Sequence, residues 1–131
     1  MLEGEGEYQM AKIILVIEDN ELNMKLIQHL LWVGHYQILK AGNAEDGLEL
    51  ARANQPDLIL MDVQLPGMSG LEATRLIKSD PAMQGIPVVA LTSFAMAGDE
   101  QKAFDAGCMG YITKPISTRT FLQDLSVYIE P

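Results

Sequence analysis

The chain has 131 residues, 48% hydrophobic and 21% charged, which fits one globular core of roughly 100–150 residues and excludes intrinsic disorder and fibrous repeats. A formal net charge of −9 with no cluster of Lys or Arg repels a phosphate backbone, so direct nucleic-acid contact is not expected and partners should be proteins. The longest apolar runs, such as Ile13 to Ile17, fall far short of the roughly 18–20 residues of a membrane-spanning helix, and no secretory signal pattern is present, so no membrane insertion and a cytoplasmic location are expected.

Residues 1–10 (MLEGEGEYQM) are rich in Gly and Glu and carry no period, which predicts a flexible tail ahead of a single domain over 11–131. Apolar runs of strand length then recur at KIILVI (12–17), YQILKA (36–41), DLILM (57–61), PVVAL (87–91) and GYIT (110–113). Stretches with helical spacing lie between and after them at 20–33, 44–54, 70–79, 97–106 and 118–129, each bounded by Gly, Pro, Asn, Asp, Ser or Thr. In the first of these, Asn23, Ile27, Leu30 and Leu31 fall on one face. Five strand-helix alternations predict an α/β fold, a doubly wound five-stranded parallel sheet with five helices on its two faces. The first, third and fourth strands are apolar at nearly every position, as strands covered on both faces must be. Cys108 is the one cysteine, cannot form an internal disulfide, and reads as a buried apolar filler.

Open α/β sheets bind ligands beyond the carboxyl ends of their strands, so the residues closing each strand carry the information about function. Strand one ends in Glu18 and Asp19, strand three in Asp62, strand four in Thr92, and strand five in Lys114 followed by Pro115. Taken singly each has a bland explanation: Asp19 or Asn20 can cap the next helix, Asp62 can begin a turn toward Pro66 and Gly67, Thr92 suits any strand, and Lys114 can be a solvated charge. Taken together they do not, because three carboxylates on one rim repel one another unless a cation neutralises them. An oxygen-only set with few protein ligands suits Mg2+, which keeps several waters and accepts one or two carboxylates plus a phosphate oxygen. Lys114 and Thr92 then offer a point charge and a hydroxyl donor to a phosphoryl group.

The segments VIEDN, DLILMDVQLPGMSG, VVALTS and YITKP, in this order and spacing, resemble the signature of the receiver domains of two-component response regulators over about residues 11–129. The wording DNELNMKL, QLP and KPIS is similar to the stand-alone cell-division regulators of the DivK type. The resemblance implies the flavodoxin-like strand order 2-1-3-4-5. It also implies that Asp62 is the phosphoacceptor, that Glu18, Asp19, Asp62 and the backbone carbonyl of Gln64 hold Mg2+, that Lys114 pairs with the phosphoryl group, and that Thr92 and Tyr111 form the switch. The family commonly has Asp where this chain has Glu18, a departure that bears on metal affinity.

The expected function is therefore a phosphoacceptor switch rather than an enzyme: Asp62 takes a phosphoryl group from a phosphohistidine on a histidine kinase or histidine phosphotransfer protein, and the altered Thr92/Tyr111 face regulates a downstream protein. Too little sequence follows the fifth helix for an output domain, which suggests a relay or allosteric effector. Leu22 and Leu26, one turn apart near His29, together with Ile116, are expected to dock the phosphodonor protein. Gln64 and Phe94 overhang the path of a hydrolytic water and are expected to set a slow autodephosphorylation. Two competitors are disfavoured. A haloacid-dehalogenase-like phosphatase wants a second Asp where Gln64 stands, and a flavodoxin-like FMN carrier wants a Ser/Thr/Gly loop where Glu18, Asp19 and Asn20 stand.

Overall fold

Ten elements alternate in a computed structural model that describes residues 11–93 and 98–129. They are β1 (Ile13–Ile17), α1 (Glu21–Val33), β2 (Gln37–Ala41), α2 (Ala44–Asn54), β3 (Leu58–Asp62), α3 (Gly70–Ser79), β4 (Val88–Thr92), α4 (Asp99–Ala106), β5 (Gly110–Thr113) and α5 (Phe121–Ile129). The sheet is all parallel, in the order β2-β1-β3-β4-β5, as expected. The tail at 1–10, Phe94 and the expected start of the fourth helix at residue 97 lie outside the described residues.

The strands are strands because both faces are covered. All five residues of β3 and all five of β4 are buried, and alternate side chains enter two separate cores. Leu15, Ile17, Ile59, Met61, Val88 and Ala90 face one core, shared with α2, α3 and α4. Ile14, Val16, Leu58, Leu60, Val89 and Leu91 face the other, shared with α1 and α5. The single thiol, Cys108, is buried 3.9 Å from the Thr74 hydroxyl, which itself donates to the Gly70 carbonyl at 2.8 Å.

Helix starts follow capping chemistry. The Asn20 side chain accepts from Asn23 N–H at 2.9 Å and that of Asn43 from Asp46 N–H at 2.8 Å, while Ser69 and Glu72 form a reciprocal capping box at 3.1 and 3.0 Å. In α1, Ile27, Leu30 and Leu31 are buried, whereas Asn23, in the first turn, is only partly covered. The last helix begins at Phe121 rather than Thr118, because the Ser117 hydroxyl accepts from Thr120 N–H at 3.3 Å and closes a separate turn first.

Candidate functional site

The carboxyl ends of β1, β3, β4 and β5 converge on one rim because the register is unbroken. Asp62 is the last residue of β3 and pairs with Leu91 of β4, Thr92 pairs with Thr113, and the ladder continues past the strands through Val63 N–H to Leu91 O at 3.1 Å and Lys114 N–H to Thr92 O at 2.8 Å. On the other side Glu18 N–H donates to Ala41 O at 3.0 Å, which carries β1 one residue beyond its end. The rim therefore holds Glu18, Asp62 and Thr92 nearly buried, at 2%, 3% and 5% exposure.

Lys114 reaches in from the end of β5 and bridges the two buried carboxylates. Its Nζ lies 2.8 Å from Glu18 Oε1 and 3.0 Å from Asp62 Oδ2. The other Asp62 oxygen, Oδ1, accepts from the Gln64 N–H at 3.0 Å, and Glu18 Oε2 accepts from the Asn20 N–H at 3.1 Å. Burial works against the Lys114 ammonium, but its close pairing with the Glu18 and Asp62 carboxylates outweighs it and holds the group above its ordinary range. Burial, reinforced by the Asp62 carboxylate, pushes Glu18 up despite Lys114 and the Asn20 N–H. One ammonium does not neutralise this cluster.

The donor set fits a hard divalent cation. Glu18, Asp19 and Asp62 each present a carboxylate oxygen within 4.8 Å of the others, and Asp19 is exposed to solvent. Glu18 Oε1 is buried and accepts no aligned hydrogen bond among the described residues, although Lys114 stands 2.8 Å away. That approach is a charge pairing without hydrogen-bond alignment, and it leaves an anionic oxygen with capacity for a metal.

Tyr111, in β5, is half-buried, and its ring meets Phe104 of α4 edge-on at a centroid distance of 6.1 Å. The three residues expected to dock a phosphodonor are placed differently from one another. Leu22 is 77% exposed, Leu26 is half-buried against the α1/α5 core, and Ile116 is buried in that core. Gln64 is exposed two residues beyond Asp62.

Two contributors escaped the sequence reading. The Asn20 N–H fixes Glu18, a role hidden behind the more familiar capping role of the Asn20 side chain. Gly70 opens α3 directly against the end of β3, where a β-carbon would overlap the Asp62 carbonyl oxygen. The only hint was the Ser-Gly step before a helical stretch.

Residues 14–126 match the family described as the response regulator receiver domain. The chain belongs to that family. It is 47% identical over 120 residues to the polar-differentiation response regulator DivK of Brucella anthropi, covering 92% of this chain and 98% of that one. The receiver domain of a sensor histidine kinase from Pseudomonas aeruginosa, solved with a magnesium ion coordinated in its active-site cleft, superposes with a TM-score of 0.84 at 30% identity, over 93% of this chain and 100% of that one. The receiver domain of Ssk1 from Saccharomyces cerevisiae, solved with the histidine phosphotransfer protein Ypd1, gives 0.81 at 26% identity, over 91% and 89%. As a receiver domain the protein is a phosphoacceptor switch of two-component signalling, and neither the phosphatase nor the FMN-carrier reading finds support. No helix among the described residues is long and apolar enough to cross a membrane.

Proposed function

We propose that Asp62 is the phosphoacceptor and that it is loaded from a phosphohistidine of a kinase or phosphotransfer protein in the cytoplasm. The observation that carries this reading is the buried Asp62 carboxylate held between the Gln64 N–H and the Lys114 ammonium, at 3.0 Å from each. With both oxygens oriented, an Asp62 oxygen attacks phosphorus in line as the phosphorus–nitrogen bond breaks, and the electron pair leaves with the imidazole. Lys114 then exchanges part of its pairing with Asp62 for a phosphoryl oxygen.

Glu18, Asp19, Asp62 and the Gln64 backbone carbonyl would hold Mg2+. When bound, Mg2+ neutralises charge on the phosphoryl oxygens and on this acidic cluster. The magnesium-containing relative from Pseudomonas aeruginosa supports the assignment. Glu18, in the family's usual Asp position, would approach Mg2+ with one more methylene, and its orientation is secured by the Asn20 N–H at 3.1 Å.

Thr92 and Tyr111 carry the outcome. The phosphorylated Asp62 draws the Thr92 hydroxyl, Tyr111 turns inward away from Phe104, and a downstream protein reads the altered α4/β5 face. The phosphodonor docks where α1 begins, with exposed Leu22 as the principal contact, and Leu26 and Ile116 shape the surface from beneath. Gln64, exposed two residues past Asp62, and Phe94 together set the rate of acyl-phosphate hydrolysis, Gln64 by holding the attacking water or by shielding the phosphoryl group.

Phosphotransfer from a panel of histidine kinases and phosphotransfer proteins, followed by borohydride trapping and mass spectrometry, tests the reading. One label on Asp62 is expected, and none on Asp62→Asn. Label of equal stoichiometry on that variant would overturn the assignment.

A further inference from the structure

Two clefts on the β2 side of α1 belong together. One, of about 410 Å³, opens at the rim beside Glu18, Asp19 and Glu21 and runs down past Lys25, Gln28 and Lys40. The other, of about 380 Å³, is lined by Lys25, Gln28, His29, Trp32 and Ile38. Lys25 and Gln28 line both, so the two form one groove between α1 and the edge strand β2. Each volume falls in the roughly 300–1,000 Å³ range of small-molecule sites.

The walls follow from the periods of helix and strand. Lys25, Gln28 and Trp32 recur at three and four residues and so share one face of α1. Ile38 and Lys40 are alternate residues of β2 and so share one face of the sheet. Lys40 Nζ reaches across to Gln28 Oε1 at 3.4 Å, which sets the strand wall against the helix wall. Leu22 and Leu26, which the proposed function gives to the phosphodonor, line neither cleft.

The groove changes character along its length. Its upper end is acidic, its middle carries Lys25 and Lys40, and its lower end has no carboxylate. There Trp32 is 70% exposed, with the His29 ring stacked beside it at 6.4 Å and 29°. Neither lysine belongs to an ion pair among the described residues, so in a chain of net charge −9 two ammonium groups remain to meet an anion. An exposed indole face stacks on planar aromatic groups. Lys25 and Trp32 stand two turns, or about 10 Å, apart along the helix. A ligand that fills the groove therefore carries a flat ring at one end and an anion at the other, with a polar spacer between them.

We propose that this groove binds a mononucleotide, with its base on Trp32 beside Ile38, its ribose along Gln28 and its phosphate between Lys25 and Lys40. Glu18, Asp19 and Glu21 repel the phosphate from the upper end and so fix the direction in which the ligand lies. A carboxylate-rich peptide would meet the lysines equally well, but it leaves the indole face without a partner.

The chain has one tryptophan and it lines the groove, so its emission reads the lower end directly. Titration of the full chain with adenosine monophosphate should quench Trp32 saturably. Adenosine alone and inorganic phosphate alone should each bind at least roughly tenfold more weakly, because each keeps only one of the two contacts. Lys40→Gln should weaken adenosine monophosphate roughly tenfold and leave adenosine unchanged. Trp32→Ala, followed by calorimetry, should weaken both and leave inorganic phosphate unchanged. Both variants should melt as the wild type does, since both side chains are exposed. Absence of saturable quenching, or equal affinity of wild type and Lys40→Gln for adenosine monophosphate, would overturn the proposal. So would inorganic phosphate or a Glu-rich peptide binding as tightly as the nucleotide, which would make the groove a general anion or protein contact.

Discussion

Gly70 lies against Asp62 so closely that a β-carbon there would overlap the Asp62 carbonyl oxygen, with the Asp62 carbonyl carbon and the Val63 α-carbon as the next atoms in its way. All three are backbone and cannot turn aside as a side chain would. Gly70 N–H in turn donates to Val63 O at 3.2 Å, so the start of α3 and the end of β3 are held together beside Asp62.

Gly70→Ala sets two effects against each other. Alanine in a helix is favoured over glycine by about 0.5–1 kcal/mol, but forcing a methyl into a closed site costs about 1–3 kcal/mol. Because the obstruction is backbone, the steric cost wins. Urea unfolding should show a net loss of about 1–2 kcal/mol, and acetyl phosphate should label Asp62 more slowly in the folded fraction. Unchanged stability and labelling would show that α3 simply shifts away.

The Glu18/Asp62/Lys114 triad predicts opposite responses at its two ends. Lys114→Met leaves two buried carboxylates without their cation and should cost about 3 kcal/mol, the lower end for a broken buried pair because the lysine side chain is 18% exposed. Glu18→Gln removes a charge that burial and Asp62 disfavour, so it should raise the melting temperature of the metal-free protein while weakening Mg2+ binding at least roughly tenfold. Thermal melts with EDTA and with graded Mg2+ read both. A Glu18→Gln protein that melts lower without metal would contradict this charge balance.

The sheet was legible in the sequence because β3 and β4 are apolar at consecutive positions, a pattern that only two covered faces explain. The strand ends were legible for the same reason: Glu18, Asp62 and Lys114 stand where an apolar run stops, and the parallel register brings those stops together. What a linear pattern does not encode is direction across space. Ile116 follows the Lys114-Pro115 turn and looked available to a partner, yet it is buried among α1 and α5. Likewise the closeness of Gly70 to Asp62 depends on the angle at which α3 leaves β3, which the seven intervening positions of sequence do not specify.

Asp80 gives a pH response remote from the site. Its Oδ1 accepts from Ala82 N–H at 2.8 Å and its Oδ2 pairs with Arg52 at 3.1 Å. The Ala82 N–H first, and Arg52 second, hold this carboxyl below its ordinary 3.8. A depressed carboxyl contributes stability that is present above 3.8 and lost as pH falls through the lower folded value. The stability difference between wild type and Asp80→Asn should therefore be constant above about pH 5, shrink below 3.8, and be reduced by salt because the pair is exposed. A difference that grows on acidification would refute the assignment.

The edge contact between Phe104 and Tyr111 yields a test of the proposed Thr92/Tyr111 switch. The ring separation of 6.1 Å and interplanar angle of 70° match an aromatic pair worth about 0.5–1.5 kcal/mol. That energy favours the arrangement found here, with Tyr111 against α4, over the one in which Tyr111 turns toward Thr92. Removing it with Phe104→Ala should therefore raise the population of the alternative arrangement roughly 2- to 10-fold without any phosphoryl group. Phe104 is 45% exposed, so little core is lost and the fold should persist. Fluorotyrosine NMR of Tyr111 can follow both proteins with and without acetyl phosphate and Mg2+. The expected result is an unphosphorylated Phe104→Ala resonance displaced part of the way toward the phosphorylated wild-type position, and convergence of the two proteins once both are phosphorylated. A resonance that moves elsewhere, or a variant that no longer responds to phosphorylation, would mean that Phe104 supports Tyr111 only as packing and has no part in the switch.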